Sequence, residues 1–74
     1  MVTASSADEM EAGQLRVFTV TAIALHGRLF REGQAILLMR RDEDPRFGRW
    51  HILIEGNEEI CDEFTIERYT VESR

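Results

Sequence analysis

The chain has 74 residues, a net charge of -5 and 43% hydrophobic residues; its nine basic residues are all arginine, set against fourteen acids. That length makes one domain at most, near the lower end for independent folding, where one core supplies roughly 3–5 kcal/mol and a partner or second copy would help. The composition is too apolar for a disordered chain, and no apolar run reaches the ~18 residues of a membrane span.

Residues 1–14 read as a flexible tail or a short N-terminal helix. In "SADEMEAG", Ser6 can cap, Glu9 stands three residues on as in a capping box, and Gly13 can end the turn. The opening "MVTASSADEMEAGQL" has neither the basic head nor the apolar centre of a secretory leader. A single β domain is expected over residues 15–74.

"LRVFTVTAIAL", Leu15 to Leu25, is the clearest strand. Val17, Thr19, Thr21 and Ile23 share one face, and Phe18, Val20, Ala22 and Ala24 share the other. Both faces are largely apolar, which predicts a central or bent strand rather than a half-exposed one. "HGRLFREGQ" is then a turn or irregular loop with Leu29 and Phe30 tucked inward. "AILLMRR" is the second strand. "RWHILIEG" is the third, with Trp50, Ile52 and Ile54 alternating against His51, Leu53 and Glu55. Gly56-Asn57 is a tight hairpin candidate, because both residues accept positive φ. A short strand over Glu59–Asp62, a helical turn or bend at "EFTIE" and a short final strand at "RYTVE" complete the chain. Five short strands in about sixty residues predict a mainly-β fold, a small five-stranded antiparallel barrel or strongly twisted sheet.

From residue 33 to 72, a Gly33-led strand, a polar loop, "WHILIEGNEEI", the turn "DEFTIE" and a closing strand resemble the Src-homology-3-like small β-barrels. In that group a hairpin leads through one helical turn into the last strand. The resemblance implies a binding module whose contacts come from loops and an aromatic patch. The cluster of aromatics that marks proline-recognising members is not evident among Phe18, Phe30, Phe47, Trp50, Phe64 and Tyr69. The opening strands are also similar to those of Nudix hydrolases. Those enzymes need a glycine-rich turn and a glutamate-bearing helix that holds divalent metal, and "WHILIEGNEEICDEF" supplies neither. Hydrolysis is not carried over.

Charge is segregated: residues 1–14 sum to -3, residues 15–54 to +3 and residues 55–74 to -5. The basic middle culminates in "RRDEDPRFGRW". There Arg40 and Arg41 end a strand, Asp42, Glu43 and Asp44 follow, and Asp44-Pro45 fits the start of a type I turn that Gly48 can complete. The stretch is first a connecting loop whose charges neutralise one another. Its binding reading is a cationic-aromatic tip of Arg46, Phe47, Arg49 and Trp50 that could stack on bases or anchor a protein interface. Trp50 belongs to the core instead if its alternation with Ile52 and Ile54 holds.

Glu55, Glu58, Glu59, Asp62 and Glu63 form a dense acidic run that lacks the spacing of a calcium loop. It reads as a solvated face, or as a patch for a basic, nucleic-acid-handling protein. His26, His51 and Cys61 are too few for a structural zinc site. Cys61 and His51 fall on successive strands, but nothing in the sequence supplies an orienting third group or an oxyanion hole. No metal, cofactor or catalytic residue is therefore expected. A single cysteine cannot form an internal disulfide, which suits a cytoplasmic protein. The expected function is non-enzymatic protein binding as a small accessory, adaptor or inhibitor, by analogy with phage-type modulators of host proteins. Nucleic-acid binding through residues 40–50 and a homo-oligomeric structural role are the alternatives, and no membrane partner is expected.

Overall fold

The computed structural model describes residues 10–44, 46 and 48–73. Among these residues, seven strands and one helix follow in order: β1 (Leu15–Phe18), β2 (Ala22–Ile23), β3 (Leu29–Phe30), β4 (Ala35–Arg41), β5 (Arg49–Ile54), β6 (Asn57–Asp62), α1 (Glu63–Tyr69) and β7 (Thr70–Glu72). The protein is mainly β. Its five-stranded sheet runs β6-β5-β4-β1-β7, and a separate two-stranded hairpin pairs β2 with β3. Every pairing is antiparallel. The five strands and their sense agree with expectation. Closure does not enter this hydrogen bonding, since β6 and β7 are the two edges. Of the expected "SADEMEAG" helix, residues 6–9 lie outside the described residues, and residues 10–13 form a turn without helix. Within them, Met10 is buried, and Gly13, at φ 88°, donates its N–H to Leu38 O at 2.7 Å.

The long apolar run 15–25 is not one strand. It breaks after Phe18, where Thr19 N–H bonds to Tyr69 O and Gly33 N–H bonds back to Phe18 O. The chain then turns out of the sheet into the β2–β3 hairpin. Its tip, Leu25–His26–Gly27, is closed by Ala24 N–H to Arg28 O at 2.8 Å and by Gly27 at φ 99°. This bend reconciles the two apolar faces read from the sequence. Phe18 serves the sheet's inner face, while Ala22 and Ala24 turn inward from the hairpin. Of the pair expected inside the loop, Phe30 is buried and Leu29 is exposed.

The core lies between the inner face of the sheet and a cover made of the β2–β3 hairpin and α1. Phe18, Ile36, Leu38, Trp50, Ile52, Ile54 and Cys61 meet Ala22, Ala24, Phe30 and Ile66 there. Phe18 and Phe30 stack with ring centroids 4.6 Å apart. Each fully buried aliphatic or aromatic side chain stabilises by roughly 1.5–3 kcal/mol. β5 follows its predicted alternation, with Trp50, Ile52 and Ile54 inward and His51 and Leu53 half-buried outward.

The β5–β6 turn differs by one residue from expectation. Ile54 pairs with Asn57, so the central residues are Glu55 and Gly56 at φ 51° and 82°. Two positive φ values make this a type I′ turn, whose twist matches the flanking strands. β6 consequently starts at Asn57 and outruns the predicted segment. The helix likewise exceeds one turn. Asp62 caps it, Glu63 and Arg68 lie at the dipole-favoured ends, and Thr70 closes it by returning its N–H to Ile66 O.

Candidate functional site

A cleft of about 400 Å³ opens where the tip of the β2–β3 hairpin approaches the β5–β6 ladder; Leu25, His26, Arg49, Ile60 and Asp62 line it. Leu25 is 75% exposed and Ile60 is also exposed, so two aliphatic side chains form the rim. Asp62 holds the hairpin tip in place. Its Oδ1 accepts the Leu25 N–H at 3.0 Å, and its carboxylate also accepts the Thr65 N–H at 2.7 Å and the Thr65 hydroxyl. Burial alone would raise the Asp62 pKa. The bonds from Leu25 and Thr65 outweigh that effect and hold it below the usual carboxylate range. With its acceptors engaged, this carboxylate builds the cleft rather than binding through it.

A second strut ties the hairpin to β6. Arg28 grips Glu59 through two nitrogens, at 2.7 and 3.0 Å, and its guanidinium also lies over the Phe30 ring. The Arg28 bond is the main reason the Glu59 pKa is lowered. This bidentate pair fixes the angle at which the hairpin meets the sheet.

The arginine loop is largely self-neutralised. Arg46 binds Asp44 at 3.0 Å, Arg49 reaches Asp42 at 3.5 Å, Arg41 pairs with Glu63, and Arg40 lies 3.8 Å from Glu58. Asp42 N–H also bonds to Arg49 O, closing the loop's base. His51, on the outer face of β5, stands between Asp42 Oδ1 at 2.9 Å from Nε2 and Glu58 Oε2 at 3.3 Å from Nδ1. The His51 bond is the main reason the Asp42 carboxyl sits below its ordinary pKa.

Several residues singled out in the sequence take other places. Trp50 is 2% exposed, so it is a core residue and leaves the binding tip; the Arg41 guanidinium stacks on its ring at 4.6 Å. Phe47 and Pro45 lie outside the described residues. Asp62 is 6% exposed, which removes it from an acidic contact face. Glu59 and Glu63 are engaged by Arg28 and Arg41. Glu58 remains exposed beside Arg40. Cys61 and His51, which fall on successive strands, face opposite sides of the sheet. Cys61 is cross-strand partner to Trp50 on the inner face, whereas His51 points outward beside its carboxylates. Burial pushes the Cys61 thiol up to about 12, so thiolate chemistry is suppressed.

Among the described residues, no group of three or more His, Cys, Asp and Glu converges to hold a metal ion, and no helix is long and apolar enough to cross a membrane. Leu25 and Ile60 were not among the site candidates read from the sequence, and His26 was weighed there only as a zinc ligand. Leu25 did carry a signal, as an aliphatic residue immediately before a His-Gly turn, where polar residues are usual. No protein-family model matches the chain, and neither a curated protein nor a solved structure resembles it at a significant level.

Proposed function

We propose that this chain is a non-enzymatic, cytoplasmic protein-interaction module, an accessory, adaptor or inhibitor built on the plan of the Src-homology-3-like small barrels. The architectural part is supported by the β5–β6 hairpin, which leads through α1 into the closing strand β7. The hairpin β2–β3 and α1, folded over the inner face of the sheet, support barrel-like closure through packing. The observation that carries the functional reading is the cleft, which exposed Leu25 and Ile60 line together with Asp62, whose bond to Leu25 holds the hairpin tip. Exposed aliphatic side chains on a held backbone can anchor a peptide or loop of another protein at small entropic cost.

Nucleic-acid binding through residues 40–50 is less well supported, because Arg40, Arg41, Arg46 and Arg49 each stand beside a carboxylate of the same chain. A phosphate would have to displace those acids. Affinity capture from a lysate, with and without nuclease, tests the reading. The expected result is one dominant protein that resists nuclease, is lost with Leu25→Asp, and is kept with Arg46→Glu. Capture of only nuclease-sensitive material, lost with Arg46→Glu, would replace this reading with the nucleic-acid one.

A further inference from the structure

The cleft and an open sheet edge coincide. β6 is one edge of the five-stranded sheet, and no described strand pairs with its far side. Ile54 pairs with Asn57 across the two-residue turn, and Glu63 donates its N–H to Gly48 O at 2.6 Å. In an antiparallel ladder the bonded pairs recur at every second residue, so Asn57, Glu59 and Cys61 exchange bonds with β5. Glu58, Ile60 and Asp62, which fall between them, turn their backbone N–H and C=O groups away from β5. Ile60 and Asp62 line the cleft, and the hairpin tip stands beside the same edge, with Leu25 bonded to Asp62. One wall of the cleft is therefore a strand that presents main-chain donors and acceptors together with the exposed Ile60 side chain.

We propose that the partner enters this cleft as an extended segment that adds to β6 as an antiparallel strand, with an aliphatic residue opposite Ile60 and a basic residue two positions later, opposite Glu58. The inference rests on the reading of the cleft as a protein-binding site and names the chemistry of what binds there. In strand addition, main-chain bonds to the edge supply affinity and alternate side chains select the partner. Residues directly opposed across a ladder share a face, so the aliphatic side chain falls beside Ile60 in the cleft. The basic side chain falls beside Glu58, which is exposed. Arg49 stands at the other end of the edge, opposite Asp62, so charge has a direction along β6 and orients the added strand. Pairing stops where Asp62 caps α1. A second copy is a poor occupant, because β6 on β6 brings Glu58, Glu59 and Asp62 of both copies together, and opposed like charges destabilise a ladder. Residues 1–9 carry Asp8 and Glu9 and no basic residue, so they do not match Glu58 either.

Amide NMR spectra of the full chain, titrated with the capped peptide Ser-Thr-Ile-Thr-Arg-Thr-Ser to about 5 mM, read this directly in the range of weak complexes. The N–H signals of Glu58 and Ile60 should move downfield, and those of Glu59 and Cys61, already bonded to β5, much less. The same peptide N-methylated at its isoleucine keeps every side chain but loses the donor that faces Ile60, and should bind at least about fivefold more weakly. Glutamate in place of the peptide's arginine should weaken binding about threefold, a difference that Glu58→Gln should largely abolish. No shift at about 5 mM overturns the proposal, and so does equal binding of the N-methylated peptide. In the second case the cleft still takes a partner, so strand addition fails while the binding reading stands. Slow exchange of the Glu58 and Ile60 amides in the chain alone would show the edge already covered by this chain or a copy of it, and would also overturn the proposal.

Discussion

Asp62 accepts the backbone N–H of Leu25 at 3.0 Å while capping α1, so one carboxylate joins the tip of the β2–β3 hairpin to the start of the helix. The two residues are 37 apart in sequence. Asp62→Ala removes the cap and leaves the Leu25 and Thr65 N–H groups without their acceptor. The expected cost is roughly 2 kcal/mol by urea denaturation, from a cap of about 1 kcal/mol plus an unsatisfied donor. Hydrogen exchange at Leu25 should speed up in the native state. Asp62→Asn keeps one acceptor oxygen and should recover part of the loss. Unchanged exchange at Leu25 in Asp62→Ala would show that the carboxylate does not hold the hairpin.

Stability should fall in acid through a definable set of carboxyls. Asp62, Glu59 and Asp42 all titrate lower in the folded protein than in a free chain. A lowered folded pKa contributes stability that is fully present above the unfolded value of about 4 and is lost as pH falls through the folded value. The urea midpoint should therefore be flat from pH 7 to about 5 and drop below about 4. Asp62→Asn should make that acid limb shallower. An equally steep limb in this variant would locate the acid sensitivity elsewhere.

The β5–β6 turn holds a correctable strain. Glu55 sits at φ 51°, in the left-handed region that costs most L-residues about 1 kcal/mol and that asparagine tolerates better. Glu55→Asn should raise stability by up to about 1 kcal/mol, less the exposed hydrogen bond that Gln34 now donates to the Glu55 carboxylate. Gly56→Ala, at φ 82°, should do the reverse. Thermal melts of the two variants should move in opposite directions; a shift of the same sign would contradict the turn assignment.

Cys61 should be inert in the folded protein. It is buried, paired across the strands with Trp50, and its thiol is pushed up to about 12. Alkylation at pH 8 should proceed at the rate of unfolding and accelerate sharply in denaturant. Rapid labelling without denaturant would mean that the β6 edge opens far more readily than its packing implies.

Alternation made β4 and β5 legible in the sequence, because inward Ile36 and Leu38, and Trp50, Ile52 and Ile54, repeat with the period of a pleated strand. It left Trp50 open between the binding tip and the core, and burial in the structure puts it in the core. The first apolar run carried a real signal that was harder to resolve. Two apolar faces on one segment arise here because the chain bends after Phe18, sending Phe18 inward from the sheet and Ala22 and Ala24 inward from the hairpin. The acidic run was visible as composition, but its meaning depended on the opposing side chains. Glu59 meets Arg28 of the hairpin, Glu63 meets Arg41 at the end of β4, and Asp62 turns inward to a cap.

The sequence by itself determined the class of fold, the positions of the main strands and the inward row of β5, since side-chain direction along a strand is a local property of period two. Tertiary structure decided which charges neutralise one another, which carboxylate is buried, and where a cleft opens. Those outcomes depend on register between strands and on the angle at which the hairpin docks. The slip at the β4–β5 pairing between Leu38 and Arg40 shows why. It sets Arg40 opposite His51 and Arg41 opposite Trp50, a partnership that spacing along the chain does not encode.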